Sequence, residues 1–455
     1  MKKIDFLLIN PPIYDFAAYD LWIKPLGLYN ILNILNSAGF TTQLLDCLDR
    51  NTFSNLNEEK YNFPTKKITG EGKFLKKEIE KPSILKNIKR KYSRYGLPIN
   101  ALKEELNNRI KPKAVLITSM MTYWYPALFD TIKMIKEIYP QIPIITGGVY
   151  TTLCYDHAAA NSNADIIFKG PFSAKVLLEI LSKTGITKNN NAPVFDDFTT
   201  VTSSKNKGIA AILTSRGCPY NCSYCASKLL YKTFTRRSII SVIEEIKILI
   251  NNYQIKDIIF YDDALLVDSE NHIIPILDEI INKNYKARFH VPNGLHLRNI
   301  TDKLAELMIR AGFKELRFGY EYSDQKLQKN DGKITNREFK DRINILRKSG
   351  FKNNDIGINV MAGTPGQTFE SAFKTVKFIQ NTGLKMHVSE YSPIPGTMLW
   401  DKAIKFSGYD IKNEPLFHNN TLFPCEWDKF TMEQLNFLKT EAKRPELSSE
   451  YQVER

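Results

Sequence analysis

Apolar positions along the chain fall into short strand-like runs separated by longer stretches of helical spacing. Ile4–Ile9 reads as a buried strand closed by Asn10-Pro11-Pro12. Pro25 opens a helix with Leu28, Ile31, Leu32 and Leu35 on one face, and Gly39 stops it. Thr41–Leu45 is the next strand. A polar stretch follows from about 51 to 113, with helical pieces near Ile84–Tyr92 and Ala101–Ile110. The alternation then resumes with strand Ala114–Thr118 and helix Pro126–Tyr139, which carries Leu128, Ile132, Ile135 and Ile138 on one face. Strand Ile142–Thr146 ends at Gly147-Gly148, strand Asp165–Phe168 ends at Gly170, and helix Ser173–Leu181 closes the unit. Strands separated by helices of this length predict a parallel sheet covered on both faces. Ligands of such sheets bind at the carboxyl ends of the strands. Here those ends are Asn10–Pro12, Asp46, Ser119–Thr122, Gly147–Gly148 and Gly170.

Residues 186–207, rich in Asn, Asp, Ser, Thr and Lys, read as a linker. Beyond it one unit repeats. Thr301 caps a helix carrying Leu304, Leu307 and Met308, Gly312 ends it, and Glu315–Tyr320 is a strand. Asn336 caps a helix carrying Phe339, Ile343 and Leu346, Gly350 ends it, and Asp355–Met361 is a strand. Thr368 caps a helix carrying Phe373, Val376 and Ile379, Gly383 ends it, and Met386–Glu390 is a strand. With Ile209–Thr214, Asp257–Tyr261 and Ala287–Val291 upstream, six strands predict a partial β/α barrel whose active site lies at the carboxyl ends of its strands. The expected division is 1–185 (insertion about 51–113), linker 186–207, barrel 208–400 and extension 401–455, a short cap with one helix near Met432–Ala442.

Composition narrows the class. The 455 residues are 43% hydrophobic and 25% charged, a globular mix. No run of eighteen apolar residues occurs, since Ser238–Ile250 is broken by Glu244, Glu245 and Lys247, so no membrane span is expected. Met1-Lys-Lys-Ile-Asp5 runs straight into a strand without a signal-peptide pattern, which makes the cytoplasm the expected location. The formal charge of +14 is concentrated in lysines between Glu59 and Lys113. Without arginines interleaved with aromatics, that charge reads as a solvated surface rather than a nucleic-acid interface.

Of six cysteines, Cys47, Cys154 and Cys425 are scattered, whereas Cys218, Cys222 and Cys225 lie together in Thr214-Ser-Arg-Gly-Cys-Pro-Tyr-Asn-Cys-Ser-Tyr-Cys-Ala226. Clustered cysteines in a large chain point to metal or redox chemistry rather than to a disulfide framework. The loop follows the first barrel strand, where barrel chemistry takes place. A four-iron cluster normally takes four thiolates, and no fourth cysteine is near, so one iron keeps an open position of the kind that marks catalytic metals. An amine and a carboxylate on one ligand can chelate it. A structural zinc site needs a fourth ligand, and the next histidine is His272.

The Cys-x3-Cys-x2-Cys spacing with Tyr224 before the third cysteine resembles the signature of radical S-adenosylmethionine (SAM) enzymes. The resemblance implies a 4Fe–4S cluster on Cys218, Cys222 and Cys225 that reductively cleaves SAM to a 5′-deoxyadenosyl radical. Further segments carry it across residues 208 to 400. Tyr261-Asp-Asp-Ala-Leu-Leu266 resembles the second-strand motif near the methionine amino group, which implies roles for Asp262 and Asp263. Gly319-Tyr-Glu-Tyr-Ser323 resembles the fourth-strand element, with Glu321 carrying over better than Ser323 because Tyr322 follows the Glu. Ala362-Gly-Thr-Pro-Gly-Gln-Thr368, with Gly363 and Gly366, resembles the fifth-strand loop that backs adenine. Ser392-Pro-Ile-Pro-Gly-Thr397, with Pro395, resembles the sixth-strand element. Asn293, at a strand end, is a candidate contact to the SAM ribose, and His296 reads as structural.

The order Leu8-Ile-Asn-Pro-Pro12, Thr118-Ser-Met-Met-Thr122, Gly147-Gly148, Gly170 resembles the cobalamin-binding Rossmann-like domain preceding many radical SAM barrels. It implies cobalamin contacts from Ser119, Thr122, Gly147, Gly148 and Gly170, where small residues let a flat macrocycle approach backbone. Two departures stand out. Asp156-His157 is adjacent rather than spaced as in the Asp-x-His-x-x-Gly motif, and Lys169-Gly-Pro-Phe-Ser173 replaces the usual acidic element. The fold expected is α/β: a Rossmann-like cobalamin-binding-type domain, a partial (β/α)6 TIM-type barrel and a short C-terminal cap.

The leading function is cobalamin-dependent radical SAM methyl transfer to an unactivated carbon or phosphorus centre. The substrate expected is a small molecule or natural product, with electrons from a donor such as flavodoxin or ferredoxin. The second reading is a non-methylating radical SAM rearrangement, cyclisation or cleavage enzyme whose cobalamin fold is empty or merely assists. The non-enzyme reading is an iron–sulfur binding or sensing protein. A methylthiotransferase acting on transfer RNA is disfavoured, because the N-terminal region holds two cysteines, Cys47 and Cys154, where a second cluster needs three.

Overall fold

The computed structural model describes residues 2–52, 61–187, 208–332 and 334–444. The chain divides into two compact units, residues 1–213 with 413–418 and residues 214–412 with 419–455. Most of the expected linker, 188–207, and the last residues of the C-terminal extension, 445–455, lie outside the described residues.

The first unit is built on a five-stranded sheet in the order Thr42–Asp46, Lys2–Asn10, Ile110–Ser119, Ile144–Gly148, Ile166–Ile167. Every pairing in it is parallel. In chain order this is 2-1-3-4-5, with its switch point between Lys2–Asn10 and Ile110–Ser119. Alternation along the strands feeds two cores. Leu7, Ile9, Val115 and Ile117 pack with Leu128, Ile132 and Ile135 of helix Tyr125–Ile138. Phe6, Leu8, Ala114 and Leu116 pack on the other face with Leu28, Ile31, Ile34 and Leu35 of helix Leu26–Ser37 and with Leu177 and Ile180 of helix Ala174–Thr184. Each such side chain stabilises by about 1.5–3 kcal/mol when fully buried.

Two details of this unit differ from expectation. Ile84–Tyr92 is not helical: it holds one 3-10 turn, Ser83–Leu85, and leads into strand Ser93–Tyr95. Its three aliphatic residues cannot cover a helix face against Lys86, Lys89, Arg90 and Lys91. Strand Ser93–Tyr95 pairs antiparallel with Ile13–Asp15 and Lys76–Glu78, so the insertion contributes to a small second sheet. Lys76–Glu78 is exposed throughout, which leaves no apolar alternation for a sequence reading to find. Helices Val149–Leu153 and Tyr155–Asn161, after Gly148, were also not anticipated.

The second site-bearing sheet has six strands in the order Lys385–Glu390, Ile356–Ala362, Phe313–Glu321, Arg288–Leu295, Asp257–Phe260, Ile209–Ile212. Among the described residues its first and last strands do not pair with each other. The helices between the strands are punctuated by polar caps. Thr301 and Thr368 accept from Leu304 N and Ser371 N. Thr335, not Asn336, caps the helix Asn336–Lys348, because Glu338 three residues on completes a capping box with it. A short helix, Gln325–Asn330, lies between the fourth strand and this one. Helix Met432–Glu441 of the extension packs through Leu435 and Leu438 with Ala372 and Val376 of helix Phe369–Gln380, and Gln380 Nε2 donates to Glu441 O at 2.7 Å.

Candidate functional site

The cysteine loop leaves the edge strand Ile209–Ile212 and is fixed at once by a buried carboxylate. Asp262 is fully buried at the end of strand Asp257–Phe260. Thr214 donates to it from its backbone N at 3.1 Å and from Oγ1 at 2.7 Å, and Ser215 Oγ donates at 2.6 Å. Burial raises the Asp262 carboxyl pKa, while these donors act against the rise. Its contacts make Asp262 an anchor for the root of the loop. Asp263 accepts from Ser227 Oγ at 2.6 Å, just past the third cysteine, so adjacent carboxylates hold both ends of the motif. Ser215–Arg216 pairs with Thr235–Arg236. Gly217, at φ +75°, comes so near the Thr233 carbonyl that a Cβ would stand 2.9 Å from it.

Cys218 and Cys222 are half-buried and Cys225 is exposed. Burial pushes the Cys218 thiol up to about 11; a hydrogen bond from the Tyr220 backbone opposes this, and Cys225, Cys222 and Asp263 are near enough to add to the rise. Ser227 N donates to Cys225 Sγ at 3.5 Å. A thiol at that level becomes a ligand only when metal displaces its proton. The remaining cysteines are different in kind: Cys47 and Cys425 are buried, and burial raises Cys154 and Cys425 to about 12. Among the described residues, no three His, Cys, Asp or Glu side chains are close enough to share one ion. Thiolates of a four-iron cluster bind separate irons, so that geometry is not required of them. The donor set, three thiols in one loop at a strand end, fits a cluster with one iron left to an exogenous ligand.

One other expected SAM contact, Glu321, meets this loop directly. Tyr224 OH donates to Glu321 Oε1 at 3.3 Å. Glu321 is buried with φ +69°, and the pairing register shifts between Gly319 and Glu321. A non-glycine residue in the left-handed region stores about 1–2 kcal/mol of strain, and here it turns a carboxylate toward the cysteine loop. Asn293 lies inside strand Arg288–Leu295, which runs further than expected, and it is exposed. The next residue, Gly294 at φ +76°, approaches Asp262 so closely that a Cβ would stand 2.0 Å from its carbonyl oxygen. Asn293 is thereby placed beside Asp262-Asp263.

The fifth- and sixth-strand motifs are occupied by the chain itself. A Cβ on Gly363 would lie 2.1 Å from the Phe423 ring, and one on Gly366 would lie 3.1 Å from Lys402 Nζ. Gly363 is therefore required by the C-terminal extension, whereas Gly366 is called for by its own left-handed backbone, φ +75°. Pro395 is half-buried in a turn where Thr397 Oγ1 donates to Ile394 O. Ser323 is tied to Thr375 Oγ1 through its backbone N at 3.0 Å. His296 packs on Tyr220 with ring centroids 4.4 Å apart, and Tyr220 OH donates to Asn299 Oδ1. Sequence reasoning missed Asp331, which accepts from Ser223 N at 2.8 Å, and Leu399, whose N donates to Ser223 O at 3.1 Å. Asp331-Gly332 carries only a turn signal.

In the first unit, residues at the carboxyl edge are largely spent on one another. Ser119 Oγ donates to Met121 O at 2.9 Å, and Thr122 Oγ1 is 3.0 Å from His418 Nδ1. A Cβ on Gly147 would meet the Phe168 ring at 2.1 Å, and one on Gly148 would meet Thr118 Oγ1 at 2.4 Å. Gly170, at φ +76°, has open space around it. What this edge leaves open is backbone and Gly170 rather than the polar side chains of Ser119 and Thr122. His157 is engaged within the core, with Nδ1 2.6 Å from Tyr150 OH and its ring near Tyr125 and Phe129. At the neighbouring strand ends Asn10 Nδ2 donates to Asp46 Oδ1 at 2.7 Å, and Lys24 pairs with Asp49 at 3.3 Å.

Residues 212–379 match the model of the radical SAM superfamily. An uncharacterized methyltransferase of Pyrococcus horikoshii is 26% identical over 361 residues, covering 71% of this chain and 73% of that protein. The fold is shared with TsrM of Kitasatospora setae, a radical SAM methyltransferase whose structure holds cobalamin and a 4Fe–4S cluster. The TM-score is 0.65 at 16% identity, over 90% of this chain and 80% of TsrM. A second TsrM structure, with tryptophan substrate and aza-SAM, gives a TM-score of 0.63 at 15% identity over 88% of this chain and 76% of that one. Among the described residues, no helix is long and apolar enough to cross a membrane.

Proposed function

We propose that this chain, a radical SAM protein by its matched domain, is a cobalamin-dependent methyltransferase acting on an unactivated centre of a small molecule. The observation that carries the reading is the loop of Cys218, Cys222 and Cys225, held at both ends by Asp262 and Asp263, with no fourth protein thiol in the loop. The open-sheet unit that precedes it, in the order 2-1-3-4-5, supports the cobalamin part.

Cys218, Cys222 and Cys225 would hold the cluster. Asp263, Asn293 and Glu321 would orient SAM, with Tyr224 steadying the Glu321 carboxylate. Asp262 acts one step back, keeping the root of the loop in place. When bound, the cluster supplies an electron and cobalamin a methyl carrier. The electron would come from a small redox protein such as flavodoxin or ferredoxin, and the reaction would take place in the cytoplasm. For cobalamin, Gly170 and the backbone at Ser119, Thr122, Gly147 and Gly148 would form the approach surface.

The test supplies methyl-labelled SAM to anaerobically reconstituted protein with reductant and added cobalamin. Label passing out of SAM in a cobalamin-dependent way supports the reading. SAM turnover with no dependence on cobalamin and no label transfer would favour the non-methylating alternative. Absence of any SAM turnover would favour an iron–sulfur binding protein.

A further inference from the structure

The peptide between the second and third cysteines is clamped from two directions. On one side the Ser223 N–H donates to Asp331 Oδ1 at 2.8 Å. On the other its carbonyl accepts from Leu399 N at 3.1 Å. Asp331 follows helix Gln325–Asn330, beyond the fourth strand, and Leu399 follows the sixth strand. The cysteine loop is thus fastened to segments 108 residues downstream at Asp331, and further still at Leu399. Cys222 Sγ also lies 3.9 Å from Asp331 O.

Asp331 is an unusual choice for this task. It is 7% exposed, and a buried carboxylate normally has a cationic partner. Among the described residues no Lys or Arg forms an ion pair with it, and its carboxylate bonds to an uncharged amide. A serine or asparagine oxygen would satisfy the same N–H without bringing a charge. The carboxylate therefore places negative charge beside a loop whose ligands become thiolates on metal binding.

Resting on the cluster reading above, we infer that Asp331 is a positioning residue for the iron–sulfur cluster that also lowers its reduction potential. Its hydrogen bond fixes the Cys222–Cys225 segment in a ligating shape. Its charge opposes the arrival of an electron, since reduction adds negative charge to the cluster, and net charge and nearby hydrogen bonds are what set such potentials. A lower potential makes the reduced cluster a stronger donor toward a SAM bond.

The test compares the full-length parent, Asp331→Asn and Asp331→Ala after anaerobic reconstitution with iron and sulfide. Iron retention against a chelator and the midpoint potential, followed by electron paramagnetic resonance, are both read. Asp331→Asn keeps an acceptor for Ser223 N but no charge, so it should retain iron like the parent and show a less negative potential. Asp331→Ala removes both, and its iron affinity should fall on the order of tenfold, the low end for groups that orient metal ligands. A parent that binds cluster, with both variants matching it in iron retention and potential, would overturn this inference alone. A parent that takes up no iron would overturn the cluster reading itself.

Discussion

Tyr224 and Glu321 meet across 97 residues of sequence, the phenol oxygen 3.3 Å from Oε1 of the carboxylate. The contact joins the residue before the third cysteine to a glutamate held at φ +69°. Glu321→Gly would relieve the backbone strain, about 1 kcal/mol, and lose a hydrogen bond of similar worth. Folding stability should therefore stay within about 1 kcal/mol of the parent, while SAM affinity drops sharply. Denaturant titration and equilibrium SAM binding check the two halves. An unchanged SAM affinity would remove Glu321 from the site.

Asp262→Ala should be far more damaging. It strands the Thr214 N–H, the Thr214 hydroxyl and the Ser215 hydroxyl, all buried. Each unsatisfied buried group costs about 1–3 kcal/mol, so a loss of roughly 3 kcal/mol or more is expected. Asp262→Asn, which keeps one acceptor oxygen, should recover about half of it. Thermal unfolding of the three proteins measures this, and a loss for the alanine variant under about 1 kcal/mol would contradict the anchoring role.

Gly363 and Phe423 form a packing pair. A Cβ at Gly363 would stand 2.1 Å from the Phe423 ring, at φ +82°. Gly363→Ala should cost about 2 kcal/mol or more through clash and strain. Adding Phe423→Leu should recover the clash part but not the strain. Unfolding free energies of the two single variants and the double variant give the coupling. Strictly additive effects would show that Gly363 is there for a reason other than Phe423.

Asp46 sets a pH dependence in the first unit. Burial, opposed by Lys24 and Asn10, raises its carboxyl to about 6 from 3.8. The folded state therefore binds this proton more tightly than the unfolded state. Its contribution is greatest below about pH 4 and is lost as pH rises through about 6. Asp46→Asn keeps Oδ1 for Asn10 and Leu48 and should be more stable than the parent at pH 7.5, on the order of 2 kcal/mol. That gap should close toward pH 4. The comparison must be between variant and parent, because His272, pushed down to about 4 by burial, titrates with the opposite slope over the same range. A gap independent of pH would contradict the assignment.

What was legible in the sequence follows from what leaves a local trace. The strands Lys2–Asn10 and Ile110–Ser119 bury both faces, so their apolar runs stand out, and helices such as Asp302–Ala311 announce themselves by Thr301 in front and Gly312 behind. The strand Lys76–Glu78 has no buried face and left no such trace. The cysteine spacing singled out the candidate cluster loop from the sequence alone. The residues that hold that loop, Asp331 and Leu399, are joined to it only by the fold, and a buried acceptor for a distant backbone N–H has no sequence signature. The glycines at 147, 148 and 363 were visible, but the neighbours that require them, Phe168, Thr118 and Phe423, were not.

Whether Cys218, Cys222 and Cys225 together hold an iron–sulfur cluster is read from iron and acid-labile sulfide per chain after anaerobic reconstitution. The parent should carry about four of each, and the variant with all three cysteines changed to alanine should carry close to none. Equal iron and sulfide in the two proteins would mean that these three cysteines hold no cluster.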